Sequence, residues 1–358
     1  MSPRVAIHRE PLGQAQPRLL RYECILQHNG YTVEWLDSSE RGFWERLPGL
    51  DLFIYHWGQW DAMRQNAQAI LPVIECELGV PCYPDQRTGW SFDDKVRQYC
   101  LLAAHRAPVV DSWVFWEKKA ALAWGEEAEL PVVFKLSGGA GSKNVVLVKD
   151  RRRLRKLVRA MFGRGVADGG IPGRASPLTS ALRGLATRVA MWKRTLAGQP
   201  VSFRFSIPNW IRHKNYVLFQ KYIPDNAFDI RVTTIGARAF AFRRFVRDGD
   251  FRASGSGRID WTPEEIPKAC LRIALDLSAK VGFQTMAYDF LMDGQQPRIC
   301  EISYTFASEA VQQCPGHWDS DLNWRRGRLW PEFLVLKDCL KAPSLEQPEG
   351  LHELGEAF

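Results

Sequence analysis

Residues 131–148 constrain the fold most, because they read as a strand, a glycine-rich turn and a second strand. Pro131-Val-Val-Phe-Lys135 and Val145-Val-Leu-Val148 are rich in the β-branched and aromatic residues that suit a pleated surface. Between them lies Ser137-Gly-Gly-Ala-Gly-Ser142. That order makes a hairpin with a pliant tip. A strand, not a helix, follows the glycines, which excludes the dinucleotide-binding fingerprint. No glycine, four residues, Gly-Lys-Ser/Thr pattern occurs, which excludes the P-loop. A glycine-rich tip lets backbone N–H groups approach phosphate oxygens with no side chain in the way. Lys135, at the end of the entering strand, is placed to reach those phosphates. Taken alone, the same residues serve equally well as a plain turn.

The flanking segments set the organisation. Residues 4–7 and 51–55 read as short buried strands. Residues 18–30 carry helical spacing of Leu19, Leu20, Cys24 and Leu26 and stop at Gly30. Residues 62–77 read as another helix, ended by Gly79 and Pro81. Strand, helix, strand, helix is the pattern of a small α/β domain, taken as 1–88. Ser91 ahead of Phe92-Asp-Asp-Lys95 reads as a helix start with acids in the first turn, the helix running to about Arg106. From 216 the chain becomes β-rich, with strands expected at 216–222, 229–235 and 239–245. A helix at 264–280 then leads to strands 285–292 and 298–303, joined by Asp293-Gly294. A last helix at 331–340 and a loose tail at 341–358 complete the reading. The units expected are therefore 1–88, 89–150 with the glycine-rich turn, a basic block at 151–215 with helices at 151–162 and 178–196 around a Gly- and Pro-rich loop, and 216–340.

Two acids fall on the joined strands, Asp289 on the first and Glu301 on the second. Two carboxylates at one mouth are what magnesium takes from a protein when phosphates supply other ligands. Two solvated acids on a sheet are the plainer alternative. An arginine set comprises Arg231, Arg244, Arg252 and Arg258. Asp229-Ile-Arg231 puts an acid and an arginine on one strand face, two residues apart. Guanidinium forks match phosphoryl and carboxylate oxygens, although any one arginine alone is more often simply solvated.

The order of these parts is more specific than any of them. Phe92-Asp-Asp-Lys95, Val133-Phe-Lys135-Leu-Ser-Gly-Gly-Ala-Gly141, Phe219-Gln-Lys-Tyr-Ile-Pro224, Asp229-Ile-Arg231, Asp250-Phe-Arg252-Ala-Ser254, Asp289 and Cys300-Glu301-Ile-Ser303 follow one another along 80–310. This series resembles the ATP-grasp superfamily, in particular its branch of ribosomal-protein glutamate ligases and glutathione synthetases. The resemblance implies an α+β fold, two lobes holding ATP, preceded by the small α/β domain. It implies that Lys95 and Lys135 contact ATP phosphates and that Gly138, Gly139 and Gly141 form a lid over them. Gln220, Lys221, Tyr222 and Ile223 would be the hinge, its backbone bonding adenine. Asp229 would hold the ribose or place Arg231. Arg231, Arg244 and Arg252 would neutralise the γ-phosphate and an acyl phosphate. Asp289 and Glu301 would bind magnesium, with Ser303 as a further ligand. Two positions depart from the family pattern. Lys221 stands where an acid is usual, and Ser303 stands where asparagine is usual, a shorter and weaker ligand than the amide.

The activity implied is ATP-dependent joining of a carboxylate to an amine or related nucleophile through an acyl phosphate. Lys221 and Ser303 lean towards a non-catalytic ATP-binding or scaffold protein on this fold, while Lys135, Asp289, Glu301 and the arginines lean against it. A kinase of the fold is the third class. No Ser-His-Asp or Cys-His pattern argues for other chemistry. The eight cysteines form no Cys-x-x-Cys pair, which excludes a zinc knuckle or redox motif and leaves reduced, mostly buried thiols. The net charge of +8 is uneven: 151–215 holds 15 Lys and Arg against one acid, Asp168, so the rest of the chain is net acidic. That block fits an acidic glycan or its lipid-linked precursor, a peptide carboxylate or an anionic membrane surface, and equally a solvated excursion. No nucleic-acid module is recognisable. No run approaches the ~20 apolar residues of a membrane span, and the first ten residues carry no apolar signal region. The expectation is a cytoplasmic protein that can sit at the inner membrane surface.

Overall fold

The computed structural model describes residues 3–9, 17–139, 144–172, 210–247 and 257–355. The first unit contains β1 (Arg4–His8), α1 (Pro17–His28), β2 (Thr32–Leu36), β3 (Leu52–Ile54), α2 (Asp61–Pro72), β4 (Cys82–Tyr83) and α3 (Gln86–Gly89). Its four strands form a parallel sheet in the order β2-β1-β3-β4. Strands β2 and β4 escaped the sequence reading because β2 is mostly half-exposed and β4 is two residues long.

The next helix corrects an expectation. α4 (Lys95–Ala104) begins after the two acids, and Asp94 caps it, accepting from Val96 and Arg97 N–H, both at 3.1 Å. Asp93 takes a left-handed φ of 52° instead of a place in the first turn. Then come β5 (Ser112–Phe115), α5 (Lys118–Glu127), β6 (Val132–Lys135), β7 (Val145–Val148), α6 (Arg151–Met161) and β8 (Val217–Lys221). The strands form an antiparallel sheet ordered β5-β8-β6-β7. α6 is the opening of the basic block, yet it buries Leu154, Leu157, Val158 and Met161 in this lobe's core beside Phe134 and Phe219. It lies close to α5 because Gly125 has no Cβ; one added there would collide with Leu154. The helix expected at 178–196 lies outside the described residues.

The large lobe contains β9 (Phe228–Ile235), β10 (Arg238–Phe245), β11 (Ile259–Asp260), α7 (Lys268–Val281), β12 (Thr285–Asp293), β13 (Gln296–Ser303), α8 (Ser308–Gln312), β14 (Gly316–Trp318), β15 (Trp324–Arg326) and α9 (Pro331–Cys339). The sheet order is β13-β12-β9-β10-β14-β15, with β11 on β10. α7 and α2 share one core with Ile230, Val232, Ala241 and Tyr288; α1 and α9 share another with Ile235, Phe240, Phe242 and Ala287. The first unit and the large lobe are thus packed through common cores, which Phe92 and Leu102 also enter, whereas the sheet β5-β8-β6-β7 has its own core with α5 and α6. By strand alternation the α1/α9 face continues from Ile235 to Arg231 and Asp229, from Ala287 to Asp289, and from Phe242 to Arg244. The charged residues occupy the end of that face left bare of α1 and α9.

Among the described residues no helix is long and apolar enough to cross a membrane. All eight cysteines are free, but fewer are buried than expected: Cys82, Cys270 and Cys314 are, while Cys76 and Cys100 are exposed.

A buried ion pair links α1 to α9. Arg21, 1% exposed, reaches Glu332 at 3.3 Å and Glu309 at 2.6 Å and stacks on Trp330. Removing one partner of a buried pair strands the other charge and costs about 3–5 kcal/mol. Arg21→Ala should lower unfolding stability by about that amount in urea titrations, with the small lobe's own core intact.

Candidate functional site

The site begins with cross-strand register. Asp289 lies opposite Arg231, and Asp229 opposite Arg244. Arg231 donates to both oxygens of Asp289, from Nε at 2.7 Å and Nη2 at 2.8 Å. Arg244 grips Asp229 the same way, at 2.7 and 2.5 Å, and its Nη2 also lies 2.9 Å from Asp289. The sequence reading had Asp229 hold the ribose or place Arg231; the structure pairs its carboxylate with Arg244. Directly opposed residues have Cβ atoms about 5 Å apart, closer than residues two apart on one strand. Burial pulls the Asp289 carboxyl upward, but Arg231 and Arg244 outweigh it and hold it well below the usual carboxylate range. Burial prevails at Asp229, whose carboxyl is raised despite Arg244.

Glu301 extends the row on β13, opposite Asp289 and just before a register shift between Asp289 and Phe290. It is one third exposed and faces Lys95, whose Nζ lies 3.1 Å away. The Lys95 ammonium also donates to the Gly139 carbonyl at 3.1 Å. Burial would lower the Lys95 pKa, but Glu301 and Asp93 more than compensate and raise it. Lys135 arrives from the small lobe, its Nζ 3.4 Å from the Cys300 carbonyl. Lys95, Lys135, Glu301, Ser112, Leu218 and Gln220 surround a narrow cavity between the lobes, about 20 Å³ in volume and so roughly the room of one water.

The segment expected to be the hinge lies beside it. Gln220 lines the cavity and donates to Ser112 Oγ at 3.2 Å. Lys221 turns away to Asp293 at 3.2 Å, and its backbone N–H, expected to serve adenine, is bonded to the Asp111 carbonyl at 2.8 Å. Tyr222 is half-buried and Ile223 buried. The Ser303 hydroxyl donates to the Thr305 carbonyl at 2.8 Å, and its lone pairs still accept. Gly141 and Arg252 lie outside the described residues. Among the described residues no group of three or more His, Cys, Asp or Glu is gathered as a metal site.

The base of the glycine-rich turn is tethered by residues the sequence reading did not single out. Asp93 accepts the Gly139 N–H at 2.7 Å and faces Arg64 at 3.4 Å. The Asn144 amide donates to the Gly138 carbonyl at 2.8 Å and to Asp168 at 2.6 Å. Gly139 has φ of +101°, and a Cβ there would run into Asn144, so only glycine fits. Tyr216 hydroxyl holds the Ser137 N–H at 2.7 Å, with His213 Nδ1 2.9 Å from that hydroxyl. Asp93 and Gly139 are 46 positions apart, so no local pattern announces their bond; the only trace is an acid that breaks the helix start.

Burial pushes the Asp93 carboxyl from 3.8 up to about 6, against Lys95, the Gly139 N–H and Arg64. A raised folded-state value means that stability is full below 3.8 and is lost as pH rises through 6. Asp93→Asn removes that titration. Its melting temperature should gain on the parent's between pH 4.5 and 7.5, as followed by scanning calorimetry; melting curves that stay parallel across that range would show that Asp93 does not titrate there.

Comparison with solved structures finds a similar fold at low sequence identity. A RimK-domain ATP-grasp protein from Sphaerobacter thermophilus is 14% identical, covering 87% of this chain and 95% of its own, with a TM-score of 0.52. The ATP-grasp ligase PsnB, complexed with a phosphomimetic variant of minimal precursor, magnesium and ADP, is 14% identical over 94% and 97%, with a TM-score of 0.55. The D-cycloserine synthetase DcsG is 15% identical over 94% and 99%, also at 0.55. No protein-family model and no curated protein matches the sequence.

Proposed function

Because this chain adopts the ATP-grasp fold, we propose that it is an ATP-dependent ligase that activates a carboxylate as an acyl phosphate and joins it to an amine. The observation that carries the reading is the charged row. Glu301, Asp289, Arg231, Asp229 and Arg244 lie together on one face of the large sheet, under Lys95 and Lys135 and beside the tethered turn.

In this reading Lys95 and Lys135 hold ATP phosphates, with backbone N–H groups of Gly138 and Gly139 covering them. Gly141 and Arg252 are assigned lid and γ-phosphate roles on the sequence pattern alone. The substrate carboxylate attacks the γ-phosphorus, the bond to the β,γ-bridging oxygen breaks, and ADP leaves. The amine then attacks the acyl carbon and inorganic phosphate departs. Arg231 and Arg244 neutralise the oxygens that gain charge in both steps, already aimed by Asp289 and Asp229 so that little reorganisation remains. Gln220 to Ile223 border the base, with Gln220 supplying an amide that both donates and accepts.

Magnesium takes few protein carboxylates and completes its shell with phosphate and water. Glu301 fits as such a donor, since a single ammonium stands where a cation would, 3.1 Å away. Asp289 fits through a shared oxygen, as both of its oxygens already accept from arginine. Ser303 would contribute only a hydroxyl. When bound, magnesium would supply charge neutralisation on the phosphates. The acceptor carboxylate is assigned to an acidic glycan, its lipid-linked precursor or a peptide; PsnB in complex with a precursor peptide supports the last of these.

The test is ADP release with and without carboxylate acceptors, using acceptors labelled with oxygen-18. A ligase moves one labelled oxygen from carboxylate to phosphate. A kinase gives a stable phosphorylated product without an amine, and a scaffold releases no ADP. Glu301→Ala should cut magnesium-dependent turnover by about 100-fold or more, with an unchanged circular dichroism spectrum. Lys135→Ala should weaken nucleotide binding in titration calorimetry. Parent-like values for both variants would place the nucleotide elsewhere.

A further inference from the structure

The catalytic reading leaves one set of cations without a task. On α6 the buried residues Leu154, Leu157, Val158 and Met161 face the small-lobe core. Arg152, Lys156 and Arg159 recur at intervals of four and three, all exposed, on the opposite side of the helix. Arg155, at the margin, pairs with Glu126 at 2.7 Å. The three outward cations have no ion-pair partner among the described residues. An i, i+4, i+7 row of like charge is unfavourable within a helix by a few tenths of a kcal/mol per pair, so local stability does not explain it.

The cationic face continues past the helix. Arg164 is exposed, and Arg212 donates to its carbonyl at 3.0 Å and to the Gly165 carbonyl at 2.8 Å. Val166 bridges to His213, so residues 210–214 run alongside the end of α6 and present Lys214 there. Two indoles stand out from the same part of the lobe. Trp210 is 54% and Trp116 65% exposed, and the Trp116 ring lies 5.9 Å from that of Tyr216. Tyr216 in turn packs on His213.

A cationic helix face suits a soluble polyanion as well as a bilayer, and the exposed indoles favour the bilayer. Here the row lies on the convex side of a helix, and exposed tryptophans accompany it. Indole rings settle at the headgroup level of a bilayer, and each Lys or Arg near an anionic bilayer surface strengthens attachment roughly 5-fold. We propose that this face of the small lobe docks the protein on an anionic lipid surface, α6 lying along it with Trp116 and Trp210 at headgroup depth. The attachment stands independently of the chemistry in the cleft.

The test is sedimentation of the full chain with phosphatidylcholine vesicles, with and without one quarter phosphatidylglycerol, at 50 mM and 500 mM salt. The parent should sediment with anionic vesicles at low salt, release at high salt and ignore the neutral ones. The triple variant R152E/K156E/R159E alters exposed positions only. It should bind at least about 50-fold more weakly while melting and binding ATP analogue like the parent. Trp116→Ala with Trp210→Ala should weaken binding to the anionic vesicles at low salt. Equal binding to both vesicle types, or a triple variant that binds as the parent does, overturns the proposal. So does retention on a heparin column without vesicle binding, which would make the face a polyanion site.

Discussion

Asp289 is held by two arginines at once, and much of the large lobe follows from keeping that cluster balanced. A buried carboxylate without partners would be prohibitively costly. Arg231 and Arg244 reach it only if β9, β10 and β12 keep their register, since a slip of one residue turns every side chain to the other face. Asp229 offsets the second guanidinium, so two acids and two arginines are matched across three strands. The shift after Asp289 then sets β13 so that Glu301 joins the row at the rim, where it is accessible. The same pairing that stabilises the sheet holds the guanidinium groups in orientation ahead of any substrate.

The two lobes differ in what holds them. The first unit and the large lobe share apolar cores and are further joined by Arg21–Glu332 and by Tyr304, whose hydroxyl bonds the Trp57 backbone. The small-lobe sheet closes its own core with α5 and α6, and across the cleft the lobe offers polar contacts: Lys95 to Glu301, Lys135 to the Cys300 carbonyl, Lys221 to Asp293, while Phe92 and Leu102 pack into the shared core. Contacts of that kind exchange readily for phosphate and water. The cavity between the lobes, about 20 Å³, has room for about one water and not for a nucleotide.

Asp93 illustrates how local and tertiary demands meet. Its left-handed backbone ends the approach to α4 and leaves Asp94 to cap the helix. Its carboxylate is thereby free to hold the Gly139 N–H. The sequence reading took both acids for first-turn residues because that placement complements a helix dipole. The glycine-rich turn drew Asp93 away.

The sequence by itself determined most of the longer elements, the hairpin, the two paired strands with their Asp-Gly turn, and the fold family. These are carried by neighbours in the chain: alternation along a strand, spacing along a helix, glycines in a turn. Lys95, Lys135, Asp289 and Glu301 could be named for the same reason, each standing at a fixed offset within a motif. Only the tertiary structure decided which arginine serves which acid, that α6 belongs to the small-lobe core, and that Asp93, Arg64 and Asn144 hold the turn. Those outcomes depend on cross-strand register and on contacts between residues tens of positions apart. Chain connectivity does not specify such distances; they are settled when the apolar faces are buried and each charge that goes under with them finds its opposite.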